Sequence, residues 1–219
     1  MPRQTMGTRR IFLARHGNRQ DFVDPTWSST ASEPYDPPLS VDGMDQARRL
    51  GQRLANERVD TIVTSPFLRT IQTAHYANQA LQVPIFIEPG FGEYLPERSF
   101  QRLPRLRELE ALRAEYPMLG SGYVATWVQR YPETAEELVE RTHHTLEALV
   151  QKLPGNLLVV GHAASVCALA LIDADVKSVE CPLCALFCLD YDGSRWRLSL
   201  DAEVEHVGER LATYRFPSP

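Results

Sequence analysis

Arg15 and His16 stand directly after the apolar run Ile11–Ala14, and Gly17 follows them. A buried strand that ends in a guanidinium and an imidazole places two reactive groups at its carboxyl end. The guanidinium fork binds a phosphate bidentately, and an imidazole is a nucleophile able to accept a phosphoryl group. His162 occupies the equivalent place after a second apolar run, Leu157–Val160, with Gly161 before it. It also opens a helical stretch, where unpaired backbone N–H groups favour an anion. Arg69 lies one turn into another helical stretch, just past the run Thr61–Thr64, with Thr70 and Thr73 beside it. Glu93 sits in the loop Gly90-Phe91-Gly92-Glu93-Tyr94. A carboxyl among aromatic neighbours is expected to have a raised pKa, as a general acid near neutral pH requires. Singly, each of these reads equally well as a packed or solvated residue. Their joint placement past strand ends carries the weight, because open α/β sheets bind ligands there.

The elements that position them alternate as short apolar runs and amphipathic segments, an α/β pattern. The Pro- and Ser-rich stretch Asp24–Leu39 is too long for a simple connector and reads as a functional loop. Ser40 is placed to cap a helix with Met44, Ala47, Gly51 and Leu54 on one stripe. Ser65-Pro66 reads as N-cap and first residue of a helix to about Ala80. Strands are expected at Thr61–Thr64, Pro84–Ile87, Leu157–Val160, Leu183–Asp190 and Arg195–Asp201. Thr134 and Glu137 have the spacing of a capping box, ahead of a stripe through Leu138, Thr142, Leu146, Leu149 and Leu153. Ala163–Ile172 is apolar all round and reads as a buried helix.

Between about 95 and 133 no strand pattern appears, and a helical lid is expected there. It carries Arg98, Arg102, Arg105, Arg107 and Arg113, which either face substrate or form a solvated surface. Phe22, Trp27, Tyr35, Tyr94, Phe100, Tyr123 and Trp127 likewise either stack on an aryl or apolar leaving group or anchor the two loops.

Across 219 residues the sequence is 43% apolar and 23% charged, with a net charge of −5. That balance argues against a nucleic-acid partner while allowing a locally positive pocket. No run approaches the roughly 18 apolar residues of a membrane span, and the apolar run after the polar N-terminus is too short for a signal peptide. A cytoplasmic location is expected. Cys167, Cys181, Cys184 and Cys188 do not form a disulfide framework or a complete zinc ligand set. Cys184 and Cys188 are expected on one face of a strand as small buried hydrophobes.

The set Arg15-His16-Gly17, Ser65-Pro66 with Arg69, Glu93 and Gly161-His162-Ala163 resembles the histidine phosphatase superfamily, the phosphoglycerate-mutase-like proteins, over nearly the whole chain. Arg15-His16-Gly17-Asn18-Arg19 with Asp21, Asp36-Pro37-Pro38-Leu39-Ser40, Gln46-Ala47-Arg48, Ser65 to His75 and Gly161 to Ser165 are most similar to one group. These are the suppressor of T-cell receptor signalling and ecdysteroid-phosphate phosphatases. The resemblance implies a mostly parallel central sheet with helices on both faces, and one domain over residues 1–219 with a lid insertion near 95–133. It implies His16 as nucleophile and Glu93 as general acid and base. Arg15, Arg69 and His162 would clamp the phosphoryl oxygens, with Arg19 and Ala163 completing the substrate pocket. No cofactor and no metal are expected, because three arginines and a protonatable His162 supply the positive charge. The implied activity is hydrolysis of a small phosphomonoester or a phosphotyrosine-like substrate. A mutase and a non-catalytic phospholigand binder on the same fold are the competing readings. Gln20 after Arg19, where proline is usual, argues against the acid phosphatase and phytase branch. The substrate and the oligomeric state are not legible.

Overall fold

The computed structural model describes residues 8–208 and the backbone of 213–216. A six-stranded sheet runs through the molecule in the order β3-β2-β4-β1-β6-β7. β1 (Arg9–Arg15), β2 (Thr61–Thr64), β3 (Ile85–Ile87) and β4 (Leu157–Gly161) are parallel. β6 (Leu186–Tyr191) and β7 (Trp196–Glu203) add an antiparallel edge. β5 (Val179–Pro182) and β8 (Thr213–Phe216) form a separate pair.

The helices cover both faces of the sheet, so the parallel strands are unbroken apolar runs instead of alternating ones. Along β1 the side chains divide with the period of two that a strand imposes. Ile11 and Leu13 join the core under α6 (Ala135–Lys152) and α7 (Ala163–Ala170). Phe12 and Ala14 join the core under α3 (Val41–Leu54) and α4 (Leu68–Leu81). The mostly parallel sheet with flanking helices is therefore as the sequence implies. Two short helices, α1 (Gln20–Val23) and α2 (Trp27–Thr30), lie in and before the long first loop. The segment 95–133 contains one helix, α5 (Leu109–Glu115). It touches the sheet through a bridge between Leu119 and Ile85.

Ser40 caps α3 and the Thr134–Glu137 capping box starts α6, both as read from the sequence. Two local readings are corrected. The helix after β2 begins at Leu68 with Phe67 as its N-cap, and Ser65 and Pro66 precede it in a bend. Its first N–H is satisfied by Asp36, whose Oδ1 accepts from Leu68 N at 2.8 Å, so a carboxylate from another loop does the work expected of Ser65. Cys184 is not on a strand: it sits in the turn between β5 and β6 with a left-handed φ of 56°. It still packs in the same apolar cluster as Cys188. All four cysteines are free and buried. No helix among the described residues is long and apolar enough to cross a membrane.

Candidate active site

The chain end of β1 delivers Arg15 and His16, and the backbone around them is tied on several sides. His16 N donates to Gly161 O on the neighbouring strand at 3.1 Å, and Cys184 N donates to His16 O at 3.1 Å. Gly17 N donates to Thr73 Oγ1 at 3.1 Å. A Cβ on Gly17 would fall 2.6 Å from the Gly43 carbonyl oxygen, which explains the glycine of the motif as a close approach between this turn and α3. Asn18 fastens the same turn, its N–H donating to Gln46 Oε1 at 2.8 Å and its side-chain amide to Asp42 at 2.7 Å.

His16 is 1% exposed. Its Nδ1 lies 2.8 Å from Gly17 O, and a carbonyl can only accept, so the proton is on Nδ1 and the lone pair on Nε2. Burial, followed by the charges of Arg69 and Arg15, holds its pKa well below the ordinary histidine value. His16 is therefore a neutral imidazole near pH 7.

His162 ends the parallel strand beside β1, and its ring lies 5.4 Å from that of His16. Its Nε2 is 2.8 Å from Ser65 Oγ, and its Nδ1 is 3.2 Å from Glu93 Oε2. Only the Nδ1–H tautomer turns a proton toward that carboxylate, so Ser65 donates to Nε2. Burial pushes the His162 pKa down to about 4 despite the nearby Glu93. The sequence reading of a protonatable, charge-supplying His162 is thus corrected: near neutral pH it is an uncharged N–H donor.

Arg69 is 1% exposed on the first turn of α4. Its Nη2 donates to Glu93 Oε2 at 3.0 Å and its Nη1 lies 3.8 Å from Asp36 Oδ1. The Phe67 ring lies 4.6 Å beneath the guanidinium carbon. Arg15 Nη1 donates to Cys181 O at 2.7 Å. Arg19 forms a two-pronged pair with Asp21 at 2.9 and 2.6 Å and lies over the Phe22 ring.

Glu93 differs from expectation. Burial raises its pKa, but His162 and Arg69 outweigh burial and hold the carboxyl well below the usual carboxylate range. Of its aromatic sequence neighbours, Tyr94 meets the carboxylate through its backbone N–H, which donates to Oε1 at 3.0 Å.

Arg15, His16, Arg19, Glu93 and Ala163 line one cavity of about 250 Å³, with Arg69 and His162 in contact with Glu93 behind its wall. All the sequence-derived candidates therefore converge. Tyr94, Pro96, Arg98, Ser99 and Phe100 supply the outer wall. Of the five arginines between 95 and 133, Arg98 lines this cavity; Arg102 and Arg107 pair with Glu33 and Glu115, Arg105 lies 3.8 Å from Glu33, and Arg113 donates to Gly120 O. Of the aromatic candidates, Tyr94 and Phe100 line the cavity, whereas the Tyr123 hydroxyl donates to Glu88 and the Trp127 ring packs edge-on against His144. Sequence reading missed Ser65 as the partner of His162, Asp36 as the partner of Arg69 and the Cys181 carbonyl as the seat of Arg15. A hydroxyl, a carboxylate and a main-chain oxygen from distant loops leave no periodic signal. His75, given no site role, packs between Tyr76 and Tyr116.

His16, Glu93 and His162 offer ligand atoms all within 4.8 Å of one another, a spacing that a metal ion can bridge. The charge balance disfavours one: the guanidiniums of Arg69 and Arg15, which hold the His16 pKa down, also repel a cation at this place.

The neutral, buried histidines predict an acid-labile fold. In the unfolded chain His162 titrates at its ordinary 6.5, against about 4 when folded. Its contribution is complete above 6.5 and is lost as the pH falls through that interval, amounting to about 3 kcal/mol. The depressed Glu93 acts in the same direction at lower pH. Denaturant midpoints measured from pH 7 to 4.5 should fall steadily, and His162→Gln should flatten the slope; a midpoint independent of pH would contradict the assignment.

A family model described as histidine phosphatase superfamily (branch 1) matches residues 11–203. The chain is 25% identical over 239 aligned residues to the ecdysteroid-phosphate phosphatase of Drosophila melanogaster, covering 87% of this chain and 31% of that protein. It thus spans about a third of the fly protein's length. It is 28% identical to the uncharacterised phosphatase PhoE of Bacillus subtilis, covering 86% of this chain and 91% of that one. Among solved structures, the ecdysone phosphate phosphatase of Bombyx mori, in complex with tungstate, superposes with a TM-score of 0.69 at 23% identity, covering 90% of this chain and 95% of that one.

Proposed function

The chain belongs to the histidine phosphatase superfamily (branch 1), and on that premise we propose that it is a metal-independent phosphomonoesterase working through a phosphohistidine on His16. The observation that carries this reading is the oriented, unprotonated Nε2 of His16 in a cavity shared with Arg15, Arg19 and Glu93.

His16 Nε2 attacks phosphorus in line as the ester P–O bond breaks. Arg15, Arg69 and the His162 Nδ1–H hold the equatorial oxygens, where fixed donors act on developing charge. Glu93 gives its proton to the leaving oxygen. Its carboxylate then takes a proton from water, whose oxygen attacks phosphorus, breaks the P–N bond and returns the lone pair to His16. Arg69 joins this cycle only when phosphoryl oxygens compete with Glu93 for its guanidinium. The arriving negative charge also raises the Glu93 pKa toward that of an acid.

Because Glu93 is ionised in the resting site, its proton must enter with the substrate as the phosphate monoanion. The second ionisation of a phosphate ester lies near pH 6. For an alkyl phosphate, kcat/KM should therefore fall about tenfold per pH unit above roughly pH 7, and a profile that rises with pH instead would contradict this proton route. EDTA should leave the rate unchanged; loss restored by a divalent ion would overturn the metal-independent reading.

The substrate class we propose is a small phosphomonoester or a phosphotyrosine-like group, held against Tyr94 and Phe100. The reading includes one catalytic domain over residues 1–219, with segment 95–133 as lid, in a reducing, cytoplasmic setting consistent with four free thiols. The decisive comparison measures phosphate release from p-nitrophenyl phosphate against isomerisation of phosphoglycerate. Release without isomerisation supports the hydrolase; isomerisation makes the protein a mutase; neither makes it a binder.

A further inference from the structure

Arg141 projects from the second turn of α6 and is completely buried, an unusual place for a guanidinium that does not line the cavity. Glu133, itself 7% exposed, meets it side-on, with Nε and Nη2 donating to the two carboxylate oxygens at 2.6 and 2.8 Å. The remaining donors point at one stretch of backbone. Nη1 donates to Gly90 O at 2.8 Å and Gly92 O at 3.5 Å, and Nη2 donates to Glu93 O at 3.5 Å.

The same stretch is gripped from either side. Gln129 Nε2 donates to Glu93 O at 2.6 Å, and Glu133 N donates to Leu95 O at 3.0 Å. A Cβ on Gly90 would lie 2.2 Å from Thr145 Oγ1, and one on Gly92 would lie 2.5 Å from Gln129 Oε1. The loop therefore lies flush on α6 and its neighbours. The Glu93 side chain leaves this fixed backbone to meet Arg69 and His162.

We propose that the buried Arg141–Glu133 pair is a positioning device for Glu93, fixing the backbone from which the general acid reaches the leaving oxygen. The inference rests on Glu93 being that acid. Packing alone does not call for an ion pair here: well-packed apolar residues generally stabilise as well as or better than a buried pair. What the fork adds is direction, because its N–H groups are aimed at the carbonyls of Gly90, Gly92 and Glu93 from one rigid plane of donors. A displacement of about 1 Å at a catalytic group is enough to lose roughly 100-fold in rate.

The test separates position from stability. In the double variant E133L/R141M both charges leave together, so no uncompensated charge is buried. R141K keeps the charge but not the fork. Melting temperature and kcat/KM are measured for wild type, both variants and E93Q, with p-nitrophenyl phosphate and an alkyl phosphate. An activated aryl leaving group needs little protonation, while an alkoxide needs the acid. We expect the double variant to lose roughly 100-fold in kcat/KM on the alkyl ester and less than about tenfold on the aryl ester. R141K should show the same skew more weakly, with KM little changed in both. Equal losses on the two esters, or no loss, in whichever of these variants melts as a folded protein overturns the positioning role. If E93Q itself shows no skew, the acid reading of Glu93 fails, and the positioning role fails with it.

Discussion

His16→Ala should abolish turnover, lowering kcat by roughly 10⁴- to 10⁶-fold, the range seen when a catalytic nucleophile is removed. The loss should fall on every phosphomonoester alike, because no other group in the cavity can replace Nε2. The guanidinium groups of Arg15, Arg19 and Arg69 are donors without a nucleophilic lone pair, and the depressed Glu93 is a carboxylate aimed at Arg69 and His162. KM should change much less than kcat, since the oxygen-binding groups are untouched. Stability should change modestly, since among the described residues the imidazole makes one hydrogen bond, to the adjacent carbonyl. Steady-state release of p-nitrophenol, read with a melting curve, checks both halves. Activity within tenfold of wild type would remove His16 from the mechanism.

Glu93→Gln should produce the second-largest effect, with a different signature. General acid–base catalysis contributes about 10²- to 10⁴-fold, so an alkyl ester should lose that much and an activated aryl ester less. The aryl ester should show a burst, because its leaving group departs readily while the phosphohistidine then waits for a base. The amide also removes the negative charge that Arg69 meets at 3.0 Å. Inorganic phosphate should therefore inhibit the variant more tightly than wild type, as the guanidinium is released from a competing carboxylate. Weaker inhibition would show that the Arg69–Glu93 contact does not compete with substrate.

The fold was largely legible because it follows from local physics. Strands buried on both faces are continuous apolar runs, and the Ser40 cap and the Thr134–Glu137 box announce α3 and α6. Arg15, His16 and His162 were legible as candidate site residues because each stands at the end of such a run. What was not legible depends on groups that meet only in three dimensions. Ser65 looks like an N-cap in sequence, yet its hydroxyl is directed to His162, and Asp36 from the first loop serves α4 instead. Cys184 looks like a strand residue until the left-handed turn is seen. The Glu93 pKa was misjudged for the same reason. Its sequence neighbours are aromatic, but its carboxylate faces His162 and Arg69, and an N–H donor and a guanidinium charge at about 3 Å together outweigh burial in setting the shift.

The most direct test of the central claim is to trap the covalent intermediate. Wild-type enzyme is mixed with p-nitrophenyl phosphate, quenched in base within a turnover, digested and sequenced by mass spectrometry. A phosphoryl group on His16, stable to base, lost in acid and more abundant in Glu93→Gln, is the expected result. Full single-turnover release of phosphate with no label on His16, or with the label on another residue, would contradict the account.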